Sequence, residues 1–180
     1  IINDELKKRE ISNKLAYEGL DFQDFIKNQI IGFVGRKEKF DELKNKVRNL
    51  INENKSNQLL ITGRHYVGKT AFCSKIISDH LLDSDLILIP YFFIEKDWRN
   101  NAVQFKKTFS LHLYNNTGLE ISHNQNDDQW VKSINRLLGK FNSKKIIFLL
   151  DGLDEIQDKA LQDLVSEFIK LNKNCFFICC

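Results

Sequence analysis

Residues 63–70, GRHYVGKT, match the phosphate-loop pattern G-x-x-x-x-G-K-[ST] at every fixed position. The two glycines let the backbone turn so that its N–H groups converge on phosphate oxygens at a helix N-terminus. Lys69 can neutralise the β- and γ-phosphates, and the Thr70 hydroxyl can ligate Mg²⁺. A chance match in such a chain has odds on the order of one per cent. The loop therefore predicts a nucleotide site whose contacts are Gly63, Arg64, Val67, Gly68, Lys69, Thr70 and Ala71.

A second group of candidate functional residues, all carboxylates, lies in FLLDGLDE, residues 148–155. An apolar strand that ends in an aspartate is the other half of a phosphate-loop NTPase site, and Asp151 would hold Mg²⁺ there, usually through water. After a tight turn at Gly152, Asp154 and Glu155 are candidates for polarising an attacking water as a general base. Acidic residues also favour helix N-termini, so a solvated capping turn is the structural alternative. With GRHYVGKT upstream, the predicted catalytic residues are Asp154, Glu155 and Lys69, and the predicted metal ligands are Thr70 and Asp151.

These motifs require a strand before the loop, a helix after it and another strand that ends at Asp151. Residues 58–62, QLLIT, are a short apolar run suited to a buried parallel strand, and residues 70–77 can start a helix with one apolar face. Further strands are predicted at 86–93, 145–150 and 175–180, and helices at 4–18, 36–54, 103–115, 127–140 and 157–171. This alternation predicts an α/β fold with a parallel sheet and helices on both faces.

Two constraints predict the order of the strands. Pro90 cannot donate to a strand ladder, so the 86–93 strand should lie at a sheet edge. Asp151 must come near Thr70 with one strand between them. We therefore expect the order 58–62, 175–180, 145–150, 86–93 (order 1-4-3-2), with right-handed crossovers and a fifth strand beyond the chain end.

Two local features complete the predicted elements. Residues 20–33 alternate aromatic and polar side chains, which predicts a linker that packs onto the domain. The helix at 127–140 should be capped by Asp127 or Asp128, since aspartate is a preferred N-cap residue.

The composition limits the class of protein. A chain of 180 residues that is 42% hydrophobic can bury one core, which suggests one α/β domain. The net charge of +3, with both signs interleaved, argues against a dedicated nucleic-acid binder. We find no secretory leader and no apolar run near the roughly 18 residues that cross a bilayer, so a cytoplasmic location is predicted. The sequence contains no methionine, which suggests a piece of a longer polypeptide.

Cysteine usage agrees with a reducing compartment. Buried reduced thiols are the favoured interpretation of Cys73, Cys175, Cys179 and Cys180. Metal ligation by the last three is disfavoured because a strand scatters them across both faces and no histidine follows.

Together, GRHYVGKT and FLLDGLDE resemble the NACHT group of STAND ATPases, signal-transducing NTPases with numerous domains. In that group the strand-borne aspartate is followed by a small residue and further acids, as in DGLDE here. The segment FVGRKEKFDEL is similar to the entry motif of STAND and related AAA-like ATPases. By that likeness Phe33, Val34, Gly35 and Arg36 would line the base pocket. The resemblance covers about residues 31–180 and implies a truncated NACHT-like core after an N-terminal helix and linker at 1–30.

The sequence departs from the family pattern at two points. Gly152 replaces the acid that follows the strand aspartate in other ATPases, so the identity of the catalytic acid stays open between Asp154 and Glu155. The family's sensor arginine, fifth strand, helical subdomains and winged helix would lie beyond Cys180.

The resemblance implies a regulatory switch that binds ATP or ADP with Mg²⁺ and hydrolyses ATP. Self-association would occur through a parent signalling or antiviral defence protein, with effector and sensor domains outside this chain. One alternative is a scaffold locked by ADP without turnover. Another is a DNA-handling ATPase of the archaeal or replication-initiator type, which DGLDE and the weak net charge disfavour. A Ras-type GTPase is disfavoured because no NKxD or TKxD segment occurs.

Overall fold

The computed structural model describes residues 22–31, 37–53, 57–64, 66–79, 86–141, 145–172 and 175–180. The strands are β1 (Gln58–Leu60), β2 (Leu86–Phe92), β3 (Lys145–Asp151) and β4 (Phe176–Cys179). The helices are α1 (Gln23–Ile31), α2 (Lys37–Glu53), α3 (Lys69–Ser78), α4 (Ala102–Thr117), α5 (Asp127–Leu138) and α6 (Lys159–Leu171). A short 3₁₀ turn, Leu153–Glu155, follows β3. The predicted helix at 4–18 lies outside the described residues.

The four strands form one parallel sheet in the order β1-β4-β3-β2. This confirms the predicted order, with β4 between the phosphate-loop strand and the strand that ends in Asp151. Pro90 lies on β2, at the edge of this sheet, opposite Leu149. Because parallel strands share one carboxyl edge, the ends of β1, β4 and β3 lie side by side.

Helices cover both faces of the sheet, as predicted. Along the end of β2, Tyr91 and Phe93 pack against Phe105 of α4, whereas Phe92 packs against Phe25 of α1. Successive side chains of a strand point to opposite faces, so α4 and α1 lie on opposite sides. Aromatic rings fill the α4 side, where Phe168 of α6 lies 4.8 Å from Phe109, 5.2 Å from Phe148 and 5.5 Å from Phe177 between ring centroids.

The segment predicted as a linker contains a helix, α1. Phe22, just before it, and Ile26 within it are buried, and the Phe22 ring lies 5.4 Å from Tyr91 and 5.2 Å from Phe92. Phe22, Phe25 and Ile26 have the i, i+3, i+4 spacing of a helical face, which overrides the apparent alternation of aromatic and polar residues. The expected packing onto the domain is therefore made by a helix.

A polar contact ties α4 to the start of α5. The buried Lys106 ammonium donates to the Asp127 carboxylate at 2.7 Å and to the Gln125 carbonyl oxygen at 2.7 Å. The predicted cap was wrong by one residue, because the Asn126 side chain accepts the hydrogen bond from the Gln129 N–H at 2.9 Å. Asp127, in the first turn, is engaged by Lys106 instead.

In the part of the chain that the structure describes, no helix has the length and apolar character needed to cross a membrane.

Candidate phosphate-binding site

The phosphate loop joins β1 to α3, the strand–loop–helix context that the motif requires. Just after β1, the Ile61 N–H donates to the Cys179 carbonyl oxygen at 2.8 Å, which anchors the start of the loop to β4. Gly68 ends the loop as the N-cap of α3, with a φ of 88° that favours glycine. No side chain caps this helix N-terminus. The helix end therefore keeps the amide donors and the positive end of its dipole that attract a phosphate.

Side chains inside the loop are packed so that its backbone turns tightly. A Cβ atom at Gly63 would lie 2.9 Å from the Val67 Cγ2 atom, so a larger residue there would require the Val67 side chain to shift. The Lys69 ammonium donates to the Gly63 carbonyl oxygen at 3.0 Å, so the lysine folds back across the loop. Arg64 and Val67 are exposed at the outer side of the loop, and Ala71 is half-buried in the first turn of α3. His65 lies outside the described residues.

Asp151, at the carboxyl end of β3, is buried with 3% of its surface exposed. Its carboxylate accepts a hydrogen bond from the Thr70 hydroxyl. Burial raises the pKa of Asp151, and the negative charge of Glu155 raises it further, while the hydrogen bond from Thr70 opposes both effects. The two predicted metal ligands are thus in contact, and the carboxylate lacks a compensating cation among the groups that perturb its pKa. A hydroxyl beside a buried carboxylate is a donor set that suits Mg²⁺.

Gly152 forms a turn that presses DGLDE against the end of β2. Its φ is 77°, and a Cβ atom there would lie only 2.2 Å from the Phe93 carbonyl oxygen. The Phe93 N–H in turn donates to the Asp151 carbonyl oxygen at 2.8 Å, and the Leu153 N–H donates to the Cys180 carbonyl oxygen at 3.0 Å. The turn is therefore fixed to the neighbouring chain segments on both sides.

The two candidate catalytic acids have different surroundings. Glu155 is half-buried, and its Oε2 atom accepts a hydrogen bond from the Glu95 N–H at 2.6 Å. The negative charge of Glu155 also raises the pKa of Asp151, whereas Asp154 is not among the groups that act on this pKa. The Asp154 side chain is exposed to solvent. Of the two acids, Glu155 is therefore the one whose charge acts on Asp151.

The loop after β2 is held by its own ion pair. The Arg99 guanidinium donates to both carboxylate oxygens of Asp97, at 2.8 and 2.7 Å, and lies 5.0 Å from the centroid of the Phe22 ring. These hydrogen bonds hold the pKa of Asp97 below its usual range. This pair fixes the loop that presents the Glu95 N–H to Glu155.

Two thiols also contact Asp151. The Cys73 Sγ atom, one turn along α3 from Thr70, is 2.9 Å from the Cys180 Sγ atom, and both thiols hydrogen-bond to the Asp151 carboxylate. The hydrogen bond with Cys180, followed by burial, raises the pKa of Cys73 well above its usual range. Burial alone raises the pKa of Cys175 to about 12. All four cysteines are buried, as predicted.

The structure therefore brings Lys69, Thr70, Asp151 and Glu155 to one end of the sheet and leaves Asp154 on the exposed side of the turn. The predicted base-pocket residues Phe33, Val34, Gly35 and Arg36 lie outside the described residues. The sequence interpretation missed three contributors, Cys73, Cys180 and the Glu95 N–H. The i, i+3 spacing from Thr70 to Cys73 was a usable signal, because it puts both side chains on one face of α3.

The sheet order and the phosphate loop define a phosphate-loop NTPase fold, as the NACHT-like resemblance implied. A model of the family described as Nephrocystin 3, N-terminal, matches residues 42–180. Because this match spans most of the chain, the chain belongs to that family. The comparison with curated proteins found no match.

Solved structures with a similar fold include two of the Drosophila ORC. ORC bound to AT-rich DNA and Cdc6 matches with a TM-score of 0.51 at 12% identity, covering 87% of this chain and 48% of that one. ORC bound to DNA matches with a TM-score of 0.48 at 14% identity, covering 79% and 75%. C. elegans PCH-2 matches with a TM-score of 0.39 at 14% identity, covering 78% and 34%. This chain spans about half the length of the first of these, and at such identities the likeness concerns the fold alone.

Proposed function

We propose that this chain is the nucleotide-binding module of a regulatory ATPase that binds ATP or ADP with Mg²⁺. The observation that carries the proposal is the contact between Thr70 and Asp151 at the end of a phosphate loop. Two motifs that lie far apart in the sequence meet there with the donor types that a nucleotide–metal complex needs. The family match supports the same class of module.

Each loop residue has a specific role in this proposal. The uncapped N-terminus of α3 would bind phosphate oxygens through its amides. Lys69, which now donates to the Gly63 carbonyl oxygen, would turn to the β- and γ-phosphates. Thr70 and Asp151 would hold Mg²⁺, which neutralises phosphate charge when bound. The remaining predicted contacts, Arg64, Val67, Ala71 and residues 33–36, would surround the phosphates and the base.

We assign the general base to Glu155. Its carboxylate is fixed by the Glu95 N–H through one oxygen, which leaves the other oxygen to orient a water. Asp154, exposed to solvent in the same turn, remains the alternative acid.

The proposed wider role is a switch within a larger signalling or defence protein. Residues 31–180 would form the nucleotide-binding core, preceded by an N-terminal helix and linker at 1–30. The nucleotide state would control self-association and the activity of effector domains outside this chain. A cytoplasmic location belongs to the same proposal.

Binding is tested with Lys69→Ala and a matched control, Lys75→Ala, in the same helix. Lys75 pairs with Asp79 near the far end of α3, away from the loop. Titration with a fluorescent adenine nucleotide should show affinity weakened at least about a hundredfold in Lys69→Ala, the scale of losing about 3 kcal/mol of charged hydrogen bonds, and little changed in Lys75→Ala. Equal dissociation constants in the wild type and Lys69→Ala would mean that the loop does not bind phosphate.

Hydrolysis is tested in the full-length protein with Glu155→Gln and Asp154→Asn. Glutamine keeps the shape of the side chain but cannot accept the proton of water, so turnover should fall by about a hundredfold or more while binding is retained. Loss of turnover in Asp154→Asn alone would transfer the role to Asp154. Wild-type turnover in both variants would favour the ADP-locked scaffold. Turnover stimulated by DNA would favour the DNA-handling alternative.

A further inference from the structure

Two thiols and a carboxylate meet behind the Thr70–Asp151 contact. One ligand atom from each of Cys73, Asp151 and Cys180 lies within 4.8 Å of the other two. All three residues are buried, with 0%, 3% and 7% of their surfaces exposed. They come from three separate elements, since Cys73 lies on α3, Asp151 ends β3 and Cys180 follows β4. The β3–β4 register pairs Leu150 with Cys179, and so brings the two following residues side by side.

We propose that Cys73, Asp151 and Cys180 form a binding site for a thiophilic divalent cation, with Zn²⁺ as the reference ion. Two cysteine sulfurs and one carboxylate oxygen are all common Zn²⁺ ligands, and three protein ligands leave a fourth position for water. Binding would release one proton from each thiol, and the two thiolates and the carboxylate would then share the charge of the ion. No oxidation or reduction is involved.

The geometry requires only a small adjustment. Zn–S distances of about 2.3 Å at a tetrahedral angle place two sulfurs about 3.8 Å apart. The Cys73 and Cys180 sulfurs, now 2.9 Å apart, would separate by about 0.9 Å through side-chain rotation. The Cys180 backbone is held by hydrogen bonds to Leu150 and Leu153, which a rotation of its side chain leaves in place.

A disulfide between the same sulfurs is the competing chemistry. A disulfide would leave the buried Asp151 carboxylate without a cation, whereas a bound cation compensates that charge. This argument favours the metal.

The consequence for regulation rests on the proposed function. Asp151 would belong to both sites, because its carboxylate contacts Thr70 on one side and the two thiols on the other. Zn²⁺ would draw this carboxylate away from Thr70 and compete with Mg²⁺-nucleotide. Metal binding itself needs no nucleotide and is tested without one.

The test uses the reduced protein and Co²⁺, whose thiolate complexes absorb light through sulfur-to-metal charge transfer. We expect one Co²⁺ per chain in the wild type, with an absorption typical of two thiolates, and displacement of the band by Zn²⁺. Affinity should fall at least about a hundredfold in Cys73→Ser and in Cys180→Ser, since even loss of an indirect partner of a metal ligand costs up to that much. Cys175→Ser is the matched control, because Cys175 is buried to 5% exposure but lies outside the cluster.

Lys69→Ala separates this proposal from the proposed function. It should lose nucleotide affinity but keep the Co²⁺ band, so failure of either proposal is seen independently. A wild-type protein that shows no thiolate–Co²⁺ absorption would overturn the metal site even if the serine variants fail to fold. Equal loss of the band in Cys175→Ser would also overturn it, as would a Cys73–Cys180 disulfide that persists in the presence of Zn²⁺.

Discussion

Gly152 and Gly118 provide a matched pair for measuring what the turn after Asp151 contributes. Their φ angles are 77° and 75°, so an alanine at either position meets the same backbone strain. Their surroundings differ. A Cβ atom at Gly152 would lie 2.2 Å from the Phe93 carbonyl oxygen, whereas a Cβ atom at Gly118 meets nothing within 4 Å.

The expected losses of unfolding free energy follow from the backbone strain at both positions and the close contact at Gly152 alone. A left-handed conformation costs alanine about 1–2 kcal/mol, and this cost should account for nearly all of the effect of Gly118→Ala. At Gly152 the 2.2 Å approach is far inside ordinary contact, so the backbone must move, and overpacking of this kind adds about 1–3 kcal/mol. We therefore expect Gly152→Ala to lower the free energy of unfolding by about 2–5 kcal/mol in total. The gain from a stiffer unfolded chain is the same in both variants and cancels in the comparison.

Urea unfolding of the wild type and both variants measures the difference directly. The segment after Phe93 carries the Glu95 N–H that holds Glu155, so Gly152→Ala should also release this carboxylate and slow hydrolysis. Gly118 follows α4, and under the proposed function its variant should leave ATP hydrolysis by the full-length protein at the wild-type rate. Equal destabilisation of the two variants would refute the reasoning, because it would mean that the turn moves away from β2 without cost.

Three further predictions concern the packing around the site. Lys106→Ala should lower the free energy of unfolding in urea by about 1–3 kcal/mol, because its hydrogen bonds are buried. Lys132→Ala breaks an exposed ion pair and should lower it by less than about 0.5 kcal/mol. Equal losses in the two variants would contradict the argument from burial. Phe168→Ala should lower the free energy of unfolding by about 3–5 kcal/mol, because it opens a cavity among five packed rings. A loss below about 1 kcal/mol would mean that the cluster collapses around the cavity. The pKa of Asp97 is lowered in the folded state, so its ion pair stabilises fully above the unfolded pKa of about 4 and less as pH falls through the folded pKa. The difference in unfolding free energy between the wild type and Asp97→Asn should be about 0.5–1 kcal/mol near pH 7 and should vanish only when the pH falls below the lowered, folded-state pKa. A difference independent of pH would rule out the ion pair as its source.

Much of the sheet could be predicted from a few residues with strict physical demands. Pro90 cannot donate to a strand ladder, so its strand was expected at the edge of the sheet. Asp151 was expected near Thr70, with one strand between β3 and the phosphate-loop strand β1. These two constraints gave the order that the structure shows. Each acts at a single position, so it needed no knowledge of how distant side chains pack.

Features that depend on contacts between distant segments could not be predicted in this way. Cys73 and Cys180 meet because α3 begins at the level where the adjacent strands β3 and β4 end, which the sequence does not specify residue by residue. The contact between Glu155 and the Glu95 N–H likewise depends on the path of the loop after β2. The α1 helix was missed for a local reason, because nine residues of mixed polarity favour neither period clearly.

The position of β4 has a consequence for how the protein folds. Among the described residues, β4 follows the other three strands in sequence, yet it lies between β1 and β3 and is the strand with which β1 pairs. During synthesis, β2 and β3 can pair while β1 waits with its ladder groups exposed until more than a hundred further residues have been made. Contacts of such long sequence separation slow folding, and exposed strand edges favour aggregation in the interval. We therefore expect the phosphate loop to reach its final position only when β4 enters the sheet, so that a nucleotide bound as proposed would stabilise this segment only after that step.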